Sequence, residues 1–235
     1  MNSKYLYLSI NLIAFIIPFL ASFQKKAPFY KKWKYAIPAL VVTALIFIAW
    51  DELYTQEKIW GFNPRYTLGI YIGSLPIEEI LFFICIPYAS VFTYFALNYL
   101  VEKDHLFPHQ ELISSVLIVV LLIAGIYNID KLYTGVTFVL LALFLAFQML
   151  KIRPRYMGRF YFSFAVLLVP FFIVNGVLTG SFIDEPIVWY DPQHMLGIRV
   201  ATIPLEDIFY GLLLILANVV IMEWLEERAY YRAKK

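Results

Sequence analysis

The sequence predicts an all-α integral membrane protein of about seven transmembrane helices, built from two parallel three-helix repeats and a connecting helix. Three observations lead there. Of the 235 residues, 62% are hydrophobic and 15% charged, with a mean hydropathy of +0.73, a balance foreign to a chain solvated by water. Apolar runs of about 20 residues, the length of helix that crosses a hydrocarbon core about 30 Å thick, recur between short polar or basic breaks. A motif carrying Pro, Gly and paired acids also occurs twice in one register.

Taken in order, the spans are expected near 5–23, 35–50, 68–100, 111–128, 134–150, 160–178 and 195–223. The first follows Lys4; it is long for the apolar part of a signal peptide and lacks a small-x-small cleavage site, so it reads as a retained span. Lysines 25, 26, 31, 32 and 34 follow span one, Lys151, Arg153, Arg155 and Arg159 follow span five, and Arg228, Arg232, Lys234 and Lys235 follow span seven. With seven spans all three clusters face one side, which the positive-inside rule makes cytoplasmic. The amino terminus is then outside and the protein lies, multi-pass, in the cell's inner or plasma membrane. The opposite loops, after spans two and six, are expected to hold Asp51, Glu52, Glu57, Asp184, Glu185 and Asp191; six or eight spans would scatter the basic loops over both faces.

The repeat fixes the organisation. Trp60-Gly-Phe-Asn63-Pro64 through Gly69-Ile70, Pro76 and Glu78-Glu79 matches Trp189-Tyr-Asp191-Pro192 through Gly197-Ile198, Pro204 and Glu206-Asp207, and from Pro64 to Pro192, Gly69 to Gly197, Pro76 to Pro204 and Glu78 to Glu206 the offset is 128 throughout. The simplest division is a first three-helix repeat over 1–100, a connector helix over 101–133 that keeps both repeats in one orientation, and a second repeat over 134–235. Parallel repeats of this kind are related by an axis along the membrane normal and commonly place a site where they meet.

Within the third helix of each repeat, Pro76 and Pro204 are expected to bend the helix by removing a backbone donor. Pro64 and Pro192 are the other structural prolines. Two and three residues beyond the first pair come Glu78, Glu79, Glu206 and Asp207, toward the outer ends of their helices. Such acids cost several kcal/mol in hydrocarbon unless they face the bundle interior. The bland reading makes them interface acids that bond backbone freed by the prolines; their recurrence in one frame favours a shared site. If the four carboxyls converge in a dry space, like-charge repulsion prevents all of them from ionising, and a proton donor then stands beside a carboxylate, as acid–base chemistry on an apolar substrate requires.

Around them, Trp50, Trp60, Tyr66, Tyr71, Trp189, Tyr190 and Tyr210 fall near the acids in sequence and can offer ring faces to a cation, with ordinary packing as the alternative for each. Arg199 is expected to form an ion pair with the acids or to snorkel outward. His194 starts span seven with no second histidine nearby, which argues against a metal, and His105 and His109 fall in a solvated loop. The single cysteine, Cys85, excludes an internal disulfide. A net charge of +2 gives no basic surface for nucleic acid. There is no dinucleotide fingerprint, P-loop, H-E-x-x-H or G-x-S-x-G, and no Asp-rich diphosphate motif.

Trp50-Asp51, Asn63-Pro64-Arg65-Tyr66 and the duplicated Leu75-Pro76-Ile77-Glu78-Glu79 and Ile203-Pro204-Leu205-Glu206-Asp207 resemble the lycopene cyclase domain family, the membrane-embedded type found as paired small subunits or as fused forms. The resemblance covers essentially the whole chain, and the two repeats would correspond to the two subunits of the heterodimeric form. It implies conversion of the ψ ends of lycopene into β-rings, giving γ-carotene and β-carotene without net redox change. It implies no cofactor; the flavin of the soluble-type cyclases finds no support here. It also implies lycopene or a related carotenoid as substrate, with membrane lipid and other carotenoid-pathway enzymes as neighbours.

One of Glu78 or Glu79 would be the donor and one of Glu206 or Asp207 the base, or the reverse. Trp50, Trp60, Asn63, Arg65, Tyr66, Tyr71, Trp189, Arg199 and Tyr210 would then contact substrate. Asp207 and Asp191 stand where the first repeat has Glu79 and Asn63, so the halves are not interchangeable. The competing class is a proton-coupled transporter or receptor-like seven-helix protein; a retinal-binding opsin is disfavoured because no lysine lies between Lys151 and Lys234.

Overall fold

The computed structural model describes residues 3–234 and holds seven helices: α1 (Leu6–Ala21), α2 (Trp33–Gln56), α3 (Ile77–Leu100), α4 (Gln110–Tyr127), α5 (Leu132–Phe147), α6 (Met157–Leu178) and α7 (Leu205–Ala233). With the short helical turns that extend some of them, all seven are long and apolar enough to cross a membrane, and the chain is a multi-pass membrane protein. Their outward faces stay apolar, with Ile13, Ile17, Leu45, Ile123 and Val169 all more than half exposed, as lipid rather than water demands. Pro18, Pro38, Pro87 and Pro170 sit inside helices, which membrane helices tolerate.

Between the helices lie six short strands: β1 (Trp60–Phe62), β2 (Tyr71–Ile72), β3 (Leu75–Pro76), β4 (Val188–Tyr190), β5 (Arg199–Val200) and β6 (Ile203–Pro204). They form three antiparallel pairs. β2 and β3 make a two-residue hairpin through Gly73-Ser74, and β5 and β6 make its equivalent through Ala201-Thr202. The first turn residue is left-handed in both, with φ of 65° at Gly73 and 55° at Ala201. β1 pairs with β4 about Gly61↔Trp189, flanked by Trp60↔Tyr190 and Phe62↔Val188. Asn63 N–H donates to Ile187 O and Asp191 N–H to Ile59 O, each at 2.8 Å, so the equivalent stretches of the two repeats meet around a local two-fold. Trp189 lies across Gly61 so closely that a Cβ there would stand 2.3 Å from its ring.

These hairpins correct the expected boundaries of spans three and seven. Residues 68–76 and 195–204 are not helical: α3 starts at Ile77, and α7 starts at Leu205 and runs on to Ala233. Pro76 and Pro204 therefore do not bend helices. Each ends a strand one residue before its helix, where a missing N–H costs nothing, and the next amides, Ile77 N–H and Leu205 N–H, donate back to Ile70 O and Ile198 O at 2.9 Å. Asp51 and Glu52 lie in α2, with Asp51 buried, because the helix outlasts its apolar stretch by a full turn. His194 ends a helical turn that precedes the second hairpin rather than starting the seventh span.

The chain separates into two compact units. The first comprises residues 1–56, 64–100 and 214–235. Here α1 and α2 both pack on α3, Thr43 Oγ1 donates to Asn218 Oδ1 at 2.7 Å, Tyr94 OH donates to Glu223 Oε1 at 2.8 Å, and Lys32 pairs with Glu226. The second comprises residues 57–63 and 101–213. Here α4 packs along α5, Ser114 bonds Tyr161 at 2.7 Å, and Arg159 donates to Val101 O and Glu102 O.

Candidate active site

In the first unit the hairpin delivers Glu78 and Glu79 into the first turn of α3, both buried, Glu78 completely. A carboxyl is favourably placed there with respect to the helix dipole, yet what holds these side chains lies outside the helix. Leu68 N–H, ten residues upstream across the hairpin, donates to Glu78 Oε1 at 2.7 Å. The amide of Asn11 on α1 donates to Glu78 O at 2.7 Å, and the Tyr7 hydroxyl, also on α1, donates to Glu79 Oε2. Glu78 Oε2 is buried and has no hydrogen-bond partner among the described residues.

The second unit repeats this wiring. Glu206, fully buried in the first turn of α7, accepts at Oε1 from Leu196 N–H at 2.6 Å and from Thr134 Oγ1 of α5 at 2.5 Å. Its Oε2 is again buried and without a partner among the described residues. Asp207 accepts from Tyr133 OH of α5 at 2.6 Å and from Tyr190 OH of β4 at 3.0 Å. At the first acid the recurrence is one oxygen held by a backbone amide across the hairpin and the other without a partner among the described residues, with Thr134 an added donor at Glu206 alone. At the second acid it is chemical, with tyrosine hydroxyls as donors. The backbone the glutamates bond belongs to their own hairpins and not to turns opened by the prolines.

The aromatic residues divide. Trp60, Tyr190 and Tyr210 gather with Tyr133 around Asp207: Trp60 lies 5.0 Å from Tyr133, 6.2 Å from Tyr190 and 6.1 Å from Tyr210, and Tyr133 stacks on Tyr190 at 5.9 Å. Trp50 instead packs on Phe47 and Tyr54 within α2. Tyr66 is buried and carries the Arg65 guanidinium over its ring, Tyr71 is exposed, and Trp189 is exposed as it covers Gly61. Asn63 donates to Glu185 at 2.9 Å. Pro64 and Pro192 each open one helical turn, the second capped by Asp191 Oδ1, which accepts from Gln193 N–H.

Among the described residues no carboxylate lies within ion-pair distance of Arg199. The arginine is exposed on β5, donates to Thr202 O at 2.5 Å and lies over the Tyr190 ring, because the hairpin turn offers a nearer acceptor than the buried carboxyls. Among the described residues no three of His, Cys, Asp or Glu gather as metal ligands would.

Sequence reasoning missed Tyr7, Asn11, Tyr133 and Thr134, the side chains that reach the acids from the first helix of each repeat. A weak signal existed, since Leu6-Tyr7 and Leu132-Tyr133 both open apolar runs just after a lysine. Chemically, each unit presents a buried carboxyl with one oxygen that has no partner among the described residues, next to a second carboxyl bonded by hydroxyl donors.

Residues 4–97 and 130–225 match the family model described as lycopene cyclase, one segment to each repeat. No curated protein and no solved structure matches the chain.

Proposed function

The chain belongs to the lycopene cyclase family, and on that premise we propose that it closes the ψ end groups of lycopene into β-rings, yielding γ-carotene and then β-carotene. Membership gives it a carotenoid cyclase role and a carotenoid substrate; the ring type, the products and the residues below are our reading. The observation that carries it is the doubled pair, Glu78 with Glu79 and Glu206 with Asp207, in which the first acid keeps one buried oxygen free of partners among the described residues and the second accepts tyrosine hydroxyls.

In this reading Glu78 and Glu206 are proton donors. The Oε2 proton passes to the terminal double bond of the ψ end, leaving a tertiary cation. The neighbouring double bond attacks that cation and forms the ring bond, and the charge moves to a ring carbon. Glu79 or Asp207 removes the adjacent ring proton and a ring double bond forms. One proton enters and one leaves, so the product is an isomer and no redox partner is needed. A proton passing between the adjacent acids resets the pair. Around Asp207, the faces of Trp60, Tyr133, Tyr190 and Tyr210 stabilise the cation, and exclusion of water prevents its capture as an alcohol. The enzyme is an intramolecular lyase, its amino terminus outside and its carboxyl terminus in the cytoplasm, the orientation that the positive-inside rule gives a seven-span chain with basic clusters after spans one, five and seven.

The test is expression in a lycopene-accumulating bacterial host with chromatography of the pigments. Cyclic carotenoids should replace lycopene with the parent chain, and Glu78→Gln combined with Glu206→Gln should cut conversion by about 10²- to 10⁴-fold, the usual worth of a positioned acid, whereas either change alone leaves the other pair working. A parent chain present in the membrane that leaves lycopene intact overturns the reading; a double amide variant with full activity overturns the assignment of the donors.

A further inference from the structure

In the first unit α1 and α2 both pack on α3 but make little contact with each other. The space between them is a groove of about 430 Å³, lined by Phe15 and Phe19 of α1, by α2 from Trp33 to Ile48, and floored by Ile84 and Tyr88 of α3. No polar atom is exposed in its wall, and its α2 rim is open to lipid, with Val41 and Leu45 more than half exposed. Along α2 the groove runs for about 22 Å at 1.5 Å per residue, room for an acyl chain that fills one leaflet, about half of a 30 Å core.

One end of this groove is polar and strongly basic. Ser22 Oγ and the Tyr88 hydroxyl are hydrogen-bonded at 2.7 Å, Trp33 Nε1 donates to Tyr88 OH at 3.2 Å, and the Trp33 ring stacks on Phe19 and meets Phe23 edge-on. The loop that folds over this end, tied by Tyr30 N–H to Ser22 O, carries Lys25, Lys26 and Lys31, and Lys34 follows in the first turn of α2, all four exposed. Lys32 is held in an ion pair with Glu226. A hydrocarbon slot ending under four exposed ammonium groups matches a molecule with one long apolar chain and an anionic head.

We propose that this groove is a binding site for an anionic phospholipid, one acyl chain lying between α1 and α2 and the phosphate held by Lys25, Lys26, Lys31 and Lys34. The site is separate from the acids: on α3, Ile84 and Tyr88 face the groove, whereas Glu78 and Glu79 are held from α1 and the hairpin. The proposal does not depend on which rings the enzyme forms.

Delipidated full-length protein in neutral detergent, titrated with dioleoyl phosphatidylglycerol or dioleoyl phosphatidylcholine and followed by native mass spectrometry, tests it. The parent should hold the glycerol lipid at least about tenfold more tightly, given that each basic residue near an anionic head group contributes substantially. Replacing Lys25, Lys26, Lys31 and Lys34 together by Gln should abolish the preference and leave the choline lipid unaffected. Leu45→Trp, which fills the groove, should weaken both lipids, and Val41→Trp repeats that arm so that one misfolded variant does not decide it. Equal binding of the two lipids by the parent, a preference that survives loss of the lysines, or unchanged binding in both groove variants overturns the proposal. So does one-for-one displacement of the glycerol lipid by lycopene, which would make the groove a polyene site.

Discussion

Asp207 accepts two tyrosine hydroxyls, and their inequality makes a graded test. Tyr133→Phe removes the donor at 2.6 Å and leaves Tyr190 at 3.0 Å. The phenyl ring keeps its edge contact with Trp60 and its stacking on Tyr190, so the packing survives and the loss is confined to one bond. A hydrogen bond to a charged group is worth about 1.5–3 kcal/mol. If the Asp207 carboxylate serves as base and counter-ion, that energy reappears in the barrier, and the cyclisation rate falls about 10- to 150-fold. Tyr190→Phe removes the longer bond at a half-buried ring and should cost about 2- to 10-fold, the range of an ordinary hydrogen bond. Initial rates of lycopene consumption in isolated membranes, normalised to the amount of enzyme present and taken with the other pair silenced by its own Glu→Gln change in parent and variant alike, measure both. A Tyr133→Phe rate equal to that of the parent, or a larger loss in Tyr190→Phe, refutes the assignment of Asp207.

The other expectations concern the two repeats and their hairpins. Tyr7→Phe takes the hydroxyl donor from Glu79 and should lower the rate by a factor comparable to that of Tyr133→Phe, seen in the same membrane assay; no change would show that the first pair does not need it. Ala201 holds a left-handed φ of 55° at the position where the first hairpin has Gly73, so Ala201→Gly should stabilise the protein by up to about 1 kcal/mol, visible as a higher melting temperature in detergent. The converse change, Gly73→Ala, meets both an unfavourable φ of 65° and the Glu52 carboxylate 2.6 Å from the new Cβ, and should lower it. Gly61→Ala forces the Trp189 ring away from the β1–β4 pair and should cost about 1–3 kcal/mol by the same measurement.

Much of this arrangement could be read from residues alone. The seven spans follow from apolar runs of the right length, and the 128-residue offset brings out the acids and the prolines together. The hairpins escaped notice because Ile70, Tyr71 and Ile72, like Ile198 and Val200, are as apolar as helix residues, and hydropathy does not distinguish a strand from a helix over so few positions. With the hairpins hidden, Pro76 and Pro204 were expected inside helices that in fact begin just after them. Of the two expectations for Arg199, pairing with the acids or reaching outward, the hairpin gives the second, its turn holding the side chain at Thr202 O. The donors on α1 and α5 stayed silent because a tyrosine near a span's end ordinarily signals the interfacial belt, and only the fold brings Tyr7 and Tyr133 to carboxyls about 70 residues away in sequence.

Each glutamate is tethered to an amide of the ten residues just before it, Leu68 for Glu78 and Leu196 for Glu206. The aim of the acid is therefore encoded in part locally, in one contiguous peptide, and a distant helix adds a donor only at Glu206, through Thr134. A segment of this kind can be duplicated, or carried on a separate polypeptide, with its aim intact, while the distant tyrosines remain free to diverge and give the two copies different chemical duties.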